Sequence, residues 1–153
     1  MRKRAEQMDQ VRQRIVDAAV ALHGSIGPAY TTISAIAEEA GVTRMTVYRH
    51  FADEEAIFAA CSAHWLSAQQ PPDPDRWMGL TDSEQRLRAG LGEVYRFYRE
   101  GAEMLARIHR DRDSIPPRHQ AQMAARDAGL RDSLGGRSAG SKEGRSEPIR
   151  SPA

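Results

Sequence analysis

The sequence has few cysteines and no long apolar run, and each absence excludes a class of protein. Cys61 is the only cysteine, so an internal disulfide is excluded and a reducing cytoplasm is the default setting. No apolar run approaches the roughly 20 residues that span a bilayer, and no apolar segment follows the basic N-terminus. We therefore predict a cytoplasmic protein without a signal peptide or a membrane partner.

Sequence patterns of catalytic and metal sites are also lacking. The histidines form no His-x-x-x-His pair and lie near no cysteine or carboxylate cluster with ligand spacing. There is no Gly-rich phosphate loop, because "GLGE" lies within a helical pattern, and no Ser/His/Asp signature. Cys61, with His64 three residues on, could suggest a redox sensor, but its apolar helix favours a buried, inert thiol. We predict no metal, no cofactor and no enzyme; a robust turnover assay would revive the enzyme alternative.

Positive charge is concentrated at the N-terminus rather than spread over the chain. The net charge is +1, so the chain is not expected to coat nucleic acid indiscriminately. Residues 2–14 carry Arg2, Lys3, Arg4, Arg12 and Arg14 against Glu6 and Asp9. This segment is either an arm that contacts phosphate or a solvated, disordered terminus.

Helical signals cover the first half of the chain. Val11, Ile15, Ala18 and Leu22 recur at helical spacing and predict a first helix of about four turns that ends near "GSIGP". The residues that can cap the second, third and fourth helices are Thr32, Thr43 and Asp53.

The second half is also helical, after an interruption by the prolines of "QQPPDPDRW". Thr81 and Glu84 have capping-box spacing and open a fifth helix. Its predicted buried stripe is Leu87, Leu91, Val94, Tyr95 and Tyr98. A break near Gly101 precedes a sixth helix, whose inward residues are Met104, Leu105 and Ile108. "SIPPRH" interrupts again before a weak seventh helix to about Leu130, and no strand is convincing, so the class is all-α.

One spacing in the first half indicates a helix-turn-helix. Ala37 is small where two helices must approach, Gly41 suits the left-handed conformation of a sharp turn, and Val47 returns the third helix to the second. In that motif the second of the two helices enters the major groove of DNA.

The polar residues of the third helix suit that task, although a merely solvated face is the plainer interpretation. Thr43 and Thr46 can donate to phosphate. Arg44 could bind guanine through two hydrogen bonds, and Met45 suits a thymine methyl group. Tyr48, Arg49 and His50 can reach the flanking DNA backbone.

Residues 11–66 resemble the DNA-binding domain of TetR/AcrR-type transcriptional regulators. The stretches that carry the resemblance are "RIVDAAVAL", "TTISAIAEEAGVTRMTVYRHF" and "DEEAIFAA". The resemblance implies a bacterial homodimer on a palindromic operator in double-stranded DNA, usually a repressor that a small-molecule effector releases. By position it implies one DNA-contacting set: Thr32, Thr43, Arg44, Met45, Thr46, Tyr48, Arg49 and His50.

The chain departs from the family pattern in three places. His23 stands where an aromatic residue is usual, and Tyr30 is a candidate to replace the lost packing. Glu54 replaces a phosphate-contacting lysine and should weaken DNA binding. Recognisable family sequence stops near Leu130, which suggests a truncated or frame-shifted C-terminus.

These observations give three predicted regions. Residues 11–52 are a helix-turn-helix DNA-binding domain, and residues 53–131 are a linking helix with an incomplete ligand-binding and dimerisation body. Residues 132–153 are poor in large apolar side chains and are predicted to be disordered. The expected function is a TetR-type repressor; the alternative is a non-dimerising or dominant-interfering remnant of one. The resemblance also suggests a ligand pocket, although simple core packing is the plainer interpretation of its candidate residues: Trp77, Tyr95, Phe97, Tyr98, Met104 and Met123.

Overall fold

The computed structural model describes residues 2–135, and this part of the chain is helical without any strand. The all-α prediction is therefore confirmed. The helices are α1 (Arg2–Ser25), α2 (Ile33–Glu39), α3 (Arg44–His50), α4 (Glu54–Gln69), α5 (Asp75–Met78), α6 (Ser83–Glu100), α7 (Ala102–Arg110) and α8 (Pro117–Leu134). Two 3₁₀ turns, Pro28–Tyr30 and Arg112–Ser114, join the longer elements.

Helices α1 to α4 form a closed core at the N-terminal end of the molecule, which we call the head. Ile15 and Ala19 of α1 and Val47 of α3 are 0% exposed, and these three residues lie at the centre of the head. Ile57 and Cys61 of α4 belong to the same cluster. The helix α4 therefore completes the head and also continues away from it towards α5.

The N-caps expected for three of the head helices are present. The side chains of Thr32, Thr43 and Asp53 accept hydrogen bonds from the backbone N–H groups at the starts of α2, α3 and α4. Each bond satisfies an amide that has no partner inside its helix. The caps thus fix where the short helices α2 and α3 begin.

The first helix is longer than predicted, because it begins at Arg2 rather than near Val11. Residues 2–10 are mostly good helix formers and contain neither glycine nor proline, so the helix continues through the basic segment. The alternative of a disordered terminus does not fit residues 3–10, which are exposed but helical.

Helices α5 to α8 form the body, where two sequence predictions were wrong. Helix α6 is capped by Asp82, not Thr81, because the Asp82 carboxylate accepts from the backbone N–H groups of Glu84 and Gln85 at 2.8 and 3.1 Å. The predicted buried stripe of α6 is mostly exposed: Leu87 is 43%, Leu91 37%, Tyr95 73% and Tyr98 39% exposed. No helix among residues 2–135 covers this face, and α6 instead buries Gly90 and Phe97.

Helix α5 was not predicted from the sequence, yet it supplies the largest fully buried side chain, Trp77. Gly90 of α6 lies directly against the Trp77 indole, since a Cβ added to Gly90 would meet the ring at 3.0 Å. A four-residue helix gives too little periodicity for detection. The Trp77 indole fits against α6 because Gly90 has no side chain.

The end of α7 holds the end of α1 through polar contacts, which we call the α7 latch (Arg107, Arg110 and Asp111). Its hydrogen bonds run from Arg107 Nε to the Ser25 carbonyl (2.8 Å), from Arg110 Nη2 to the Ile26 carbonyl (2.7 Å) and from the Ala29 N–H to Asp111 Oδ2 (3.2 Å). Arg110 also pairs with Asp111 at 2.6 Å. The latch connects the body to the head at the C-terminal end of α1.

Tyr30 does not replace the packing lost at His23, contrary to expectation. Its side chain is 67% exposed and lies under the Arg110 guanidinium, 5.8 Å from the ring centroid. His23 itself is buried, at 7% exposure, and packs on Phe58 with ring centroids 5.3 Å apart. The His23 imidazole thus occupies the position at which the family pattern has an aromatic ring, and no other residue is needed to fill it.

Helix α8 extends to Leu134, three residues into the region predicted to be disordered, and Ser133 is buried. The rest of that predicted tail, from residue 136 onward, lies outside the described residues. Within residues 2–135, no helix is both long and apolar enough to cross a membrane.

Candidate nucleic-acid interface

The turn between α2 and α3 has the geometry that the glycine predicted. Gly41 has a φ of +64°, a left-handed conformation that a side chain disfavours. The Val42 N–H donates to the Ala37 carbonyl at 2.9 Å, and the Gly41 N–H donates to the Glu38 carbonyl at 3.0 Å. This pair of bonds is the Schellman arrangement, which ends α2 and turns the chain directly into α3.

Burial of Val47 determines which face of α3 is presented to solvent. Val47 is 0% exposed and Phe51, just after the helix, is 3% exposed. With this side of the helix fixed inward, Met45 is 71% and Tyr48 is 45% exposed. Other residues of the predicted set on this outward surface are Thr43, Arg44 and Arg49, which are exposed, and Thr46 and His50, which are half-buried.

The threonines of the predicted set have structural partners as well as exposure. Thr43 Oγ1 accepts from the Thr46 N–H at 3.2 Å and lies 2.9 Å from Thr46 Oγ1. Thr32, at the start of α2, accepts from the Ala35 N–H at 3.1 Å. Because the Thr32 cap uses the hydroxyl as an acceptor, its hydrogen remains available as a donor to an anion, and so does one of the two hydroxyl hydrogens of the Thr43–Thr46 pair.

The two arginines of α3, Arg44 and Arg49, have no counter-charge in the described part of the chain. Among residues 2–135, no carboxylate or carbonyl oxygen lies within bonding distance of the Arg44 or Arg49 guanidinium groups. Arginines 107 and 110 of α7, by contrast, are both held by backbone carbonyl groups. An unpaired guanidinium on a convex helix is free to bind phosphate or guanine.

The structure also shows the positions of two charged residues outside α3, Arg12 and Glu54. Arg12 of α1 lies over the Phe51 ring, 4.6 Å from its centroid, which holds one cation of the basic segment near the end of α3. No sequence pattern indicates this contact, because it depends on the crossing of α1 and α3. Glu54 is exposed in the first turn of α4, where the helix dipole favours a carboxylate.

A second candidate site lies where the body meets the head, a cavity of about 310 Å³ between α1, α4, α7 and α8. Its lining residues are His23, Phe58, Cys61, Ser62, Trp65, Leu66, Met104, Leu105, Ile108, His119, Gln122, Met123 and Arg126. Of the pocket candidates considered from the sequence, Met104 and Met123 line this cavity. Trp77, Tyr95, Phe97 and Tyr98 do not, because Trp77 and Phe97 are core residues and both tyrosines are partly exposed on α6.

The polar groups of the cavity wall are uncharged except for one. Burial lowers the pKa of His23 from 6.5 to about 4, and burial also lowers the pKa of His119. Burial raises the pKa of Cys61 to about 12, so its sulfur stays a thiol, 3.4 Å from His23 Nδ1. The prediction of a buried, unreactive Cys61 agrees with this environment. Among the described residues of the cavity wall, Arg126 is the one that carries a charge.

Comparison with known proteins agrees with the resemblance found in the sequence. Residues 15–61 match the model for bacterial regulatory proteins of the tetR family. The HTH-type transcriptional regulator SrpR of Pseudomonas putida is 39% identical over 74 residues, which are 48% of this chain and 33% of SrpR. AcrR of Shigella flexneri is 38% identical over 58 residues, 38% of this chain and 27% of AcrR.

A third relative is TtgW, an uncharacterized HTH-type transcriptional regulator of Pseudomonas putida, which is 39% identical over 74 residues. The match covers 48% of this chain and 53% of TtgW, so the chain spans at most about half of these relatives. All three are named as transcriptional regulators, which agrees with the prediction that the chain is not an enzyme.

The fold is shared more widely than the sequence. The crystal structure of the TetR family regulator PfmR from Thermus thermophilus matches with a TM-score of 0.61 at 20% identity. The match covers 79% of this chain and 66% of that one, so it includes body helices as well as the head. Over residues 15–61 the chain is thus similar to the tetR family of bacterial regulatory proteins, and its fold resembles that of a TetR family regulator.

Proposed function

We propose that this chain is a cytoplasmic transcriptional repressor that binds a palindromic operator as a homodimer and is released by a small ligand. The observation that carries the DNA-binding part is the fixed orientation of α3. Val47 is completely buried, and the outward surface of the same helix bears Arg44 and Arg49 without partners among residues 2–135. Such a surface has charge and hydrogen-bond donors that this part of the chain does not satisfy.

Each residue of the DNA-contacting set has a separate role in this proposal. Arg44, in the first turn of α3, binds guanine, and Met45 contacts a thymine methyl group. Thr32 and the Thr43–Thr46 pair donate to phosphate through hydroxyl hydrogens. Tyr48, Arg49 and His50 contact the flanking backbone. Phosphate contacts set register and affinity, whereas Arg44 and Met45 set base preference.

The α6 stripe (Leu87, Leu91, Tyr95 and Tyr98) supports self-association. It is an exposed apolar surface on one side of a long helix, and surfaces of this kind commonly mark interaction sites. A two-fold dimer would present two copies of α3 to two half-sites, which is why the proposed operator is a palindrome.

The cavity supports release by a ligand. Its wall includes His23 of α1 and Phe58 of α4, which are head helices, as well as Leu105 of α7 and His119 of α8. Because α7 also carries the latch to the end of α1, a ligand that shifts α7 would act on the head from two sides. Release then follows if the shifted head no longer fits both half-sites.

The test begins with selection of binding sites from random duplex DNA by the whole chain, followed by fluorescence anisotropy with the selected and a scrambled duplex. Arg44→Ala should weaken binding to the selected site by roughly 1–3 kcal/mol and reduce its preference over the scrambled duplex. Arg99→Ala, which removes an exposed arginine from α6, is the matched control and should change neither.

An unchanged preference in the Arg44 variant would contradict the base-reading role, and failure to select any site would contradict DNA recognition itself. The dimer is tested separately by sedimentation equilibrium of residues 1–153 over a range of concentrations. A discrete dimer is expected; a monomer at all concentrations would contradict the palindromic arrangement.

A further inference from the structure

We propose that the cavity between α1, α4, α7 and α8 binds a small organic acid, whose carboxylate pairs with Arg126 while its apolar part fills the cavity. This inference rests on the proposed function, because it names the chemical class of the effector that the proposed repressor senses. It depends on the size of the cavity, on its apolar wall and on the isolation of one charged side chain.

Size and wall chemistry define the apolar part of the ligand. The volume of about 310 Å³ is about twice that of an engineered apolar cavity known to hold benzene. Phe58, Trp65 and Leu105 supply aromatic and aliphatic surface. A ligand with one or two rings, or with a short hydrocarbon chain, therefore fits, and its burial drives binding through the hydrophobic effect.

Arg126 defines the charged part of the ligand. Among the wall residues that lie within 2–135, it is the only one with a formal charge at neutral pH, because none of the others is Asp or Glu and both histidines are neutral there. The side chain is half-buried and has no hydrogen-bond or ion-pair partner within residues 2–135. A guanidinium stays protonated and matches the two oxygens of a carboxylate.

A second polar group of the wall also lacks a partner. His119 is 9% exposed, and its buried Nδ1 has no hydrogen-bond partner in the described part of the chain. Its ring packs edge-on against Phe58, with centroids 4.9 Å apart. Buried polar atoms in native proteins are normally hydrogen-bonded, so an unpartnered one in a cavity wall indicates a place for a polar ligand atom.

Other ligand classes fit less well. A lipophilic cation would place its charge beside Arg126 with no carboxylate in the wall to offset the repulsion. A neutral hydrocarbon would fill the volume but cover the guanidinium without pairing it, which costs desolvation energy. An acid satisfies both the apolar wall and the cation.

Three probes with one carbon skeleton separate these classes: trans-cinnamate, cinnamyl alcohol and cinnamylamine. Each is titrated calorimetrically into the full chain, without DNA. Cinnamate should bind about ten- to a hundredfold more tightly than the alcohol, as expected for a charge-assisted hydrogen bond, and the amine should bind most weakly. Equal binding of alcohol and acid, tighter binding of the amine, or no binding of any probe would overturn the proposal.

Variants locate the contact. Arg126→Gln should reduce the preference for the acid over the alcohol to about threefold or less, whereas Arg126→Lys should retain part of it. Arg131→Gln is the matched control, because it removes an exposed arginine from the same helix outside the cavity. Circular dichroism checks that each variant is folded, and an undiminished acid preference in Arg126→Gln would place the acid elsewhere.

Because these titrations contain no DNA, the two proposals can fail independently. Acid binding by a chain that selects no operator would contradict the repressor and leave the cavity assignment standing. Operator binding by a chain that shows no acid preference would contradict the cavity assignment and leave the repressor standing. Adding cinnamate to a preformed operator complex then tests whether the two events are linked.

Discussion

The head and the body of this chain bury their apolar residues to very different extents. In the head, Ile15 and Val47 are completely buried and belong to one continuous cluster that spans α1 to α4. In the body, Leu87 and Tyr95 of α6 are 43% and 73% exposed, and a cavity of about 310 Å³ lies where α7 and α8 meet α1 and α4. The head is closed, and the body leaves apolar surface available for other molecules.

In the proposed function this difference separates a rigid region from a responsive one. The proposed DNA-contacting helix α3 must hold its side chains in fixed positions, and close packing around Val47 provides that. A body that responds to the proposed ligand must change when the ligand binds, and incompletely packed regions are the ones that shift at low cost. The two regions are joined by the polar contacts of the α7 latch and by aromatic contacts of α4, since Trp65 packs on Phe97 of α6 and Phe58 packs on His119 of α8.

The sharpest test of this comparison uses two apolar truncations. Ile15→Ala, at the centre of the head, should lower the free energy of unfolding by about 2–5 kcal/mol, because it removes fully buried methyl groups. Leu87→Ala, on the exposed face of α6, should change that of the monomer, measured at concentrations below self-association, by no more than about 0.5 kcal/mol. Urea unfolding followed by circular dichroism measures both, and equal losses would mean that α6 is as tightly packed as the head.

The boundary between the regions should be sensitive to acid through His23. Its folded-state pKa is about 4 against 6.5 when exposed, so between these values the unfolded chain binds more protons. Stability should therefore be fully present above pH 6.5 and fall by about 3 kcal/mol as the pH drops to 4. His23→Phe should remove this part of the pH dependence, which denaturant titrations at several pH values would measure.

Exposed His109 provides the control for that experiment. His109→Phe should leave the acid sensitivity of the chain intact. If His23→Phe and the original chain lose equal stability between pH 6.5 and 4, the acid sensitivity arises elsewhere and His23 is not its source.

The smallest expected difference is between the stability losses of two alanine variants, Gly41→Ala in the turn of the head and Gly27→Ala beside the α7 latch. Gly41→Ala meets open space and carries only the penalty of a left-handed residue, about 1–2 kcal/mol. Gly27 has φ 95° and ψ 163°, a region nearly restricted to glycine, and an added Cβ would also contact the Asp111 carboxylate and the Arg110 guanidinium. Gly27→Ala should therefore destabilise by about 1 kcal/mol more.

Thermal unfolding of both alanine variants measures that difference. A smaller loss for Gly27→Ala than for Gly41→Ala would mean that the latch yields freely, and a rigid connection between body and head would then be excluded.

Much of the head could be predicted from the sequence because its signals are local. Thr32, Thr43 and Asp53 act within three residues along the chain, and Gly41 sets a turn by its own conformational freedom. The prediction that the α6 stripe is buried was wrong for a related reason. Helical periodicity shows that Leu87 and Tyr95 share a face, but it does not show whether another helix covers that face.

The sequence by itself determined the helical class, the starts of α2, α3 and α4, and the residue types on the outward surface of α3. The tertiary structure alone decided the neighbours that lie far apart along the chain: Arg12 over Phe51, the latch from Asp111 to Ala29, and Arg126 in the same cavity as His23. The physical reason is range. Caps and turns form between adjacent residues, whereas cavities and latches depend on how whole helices cross.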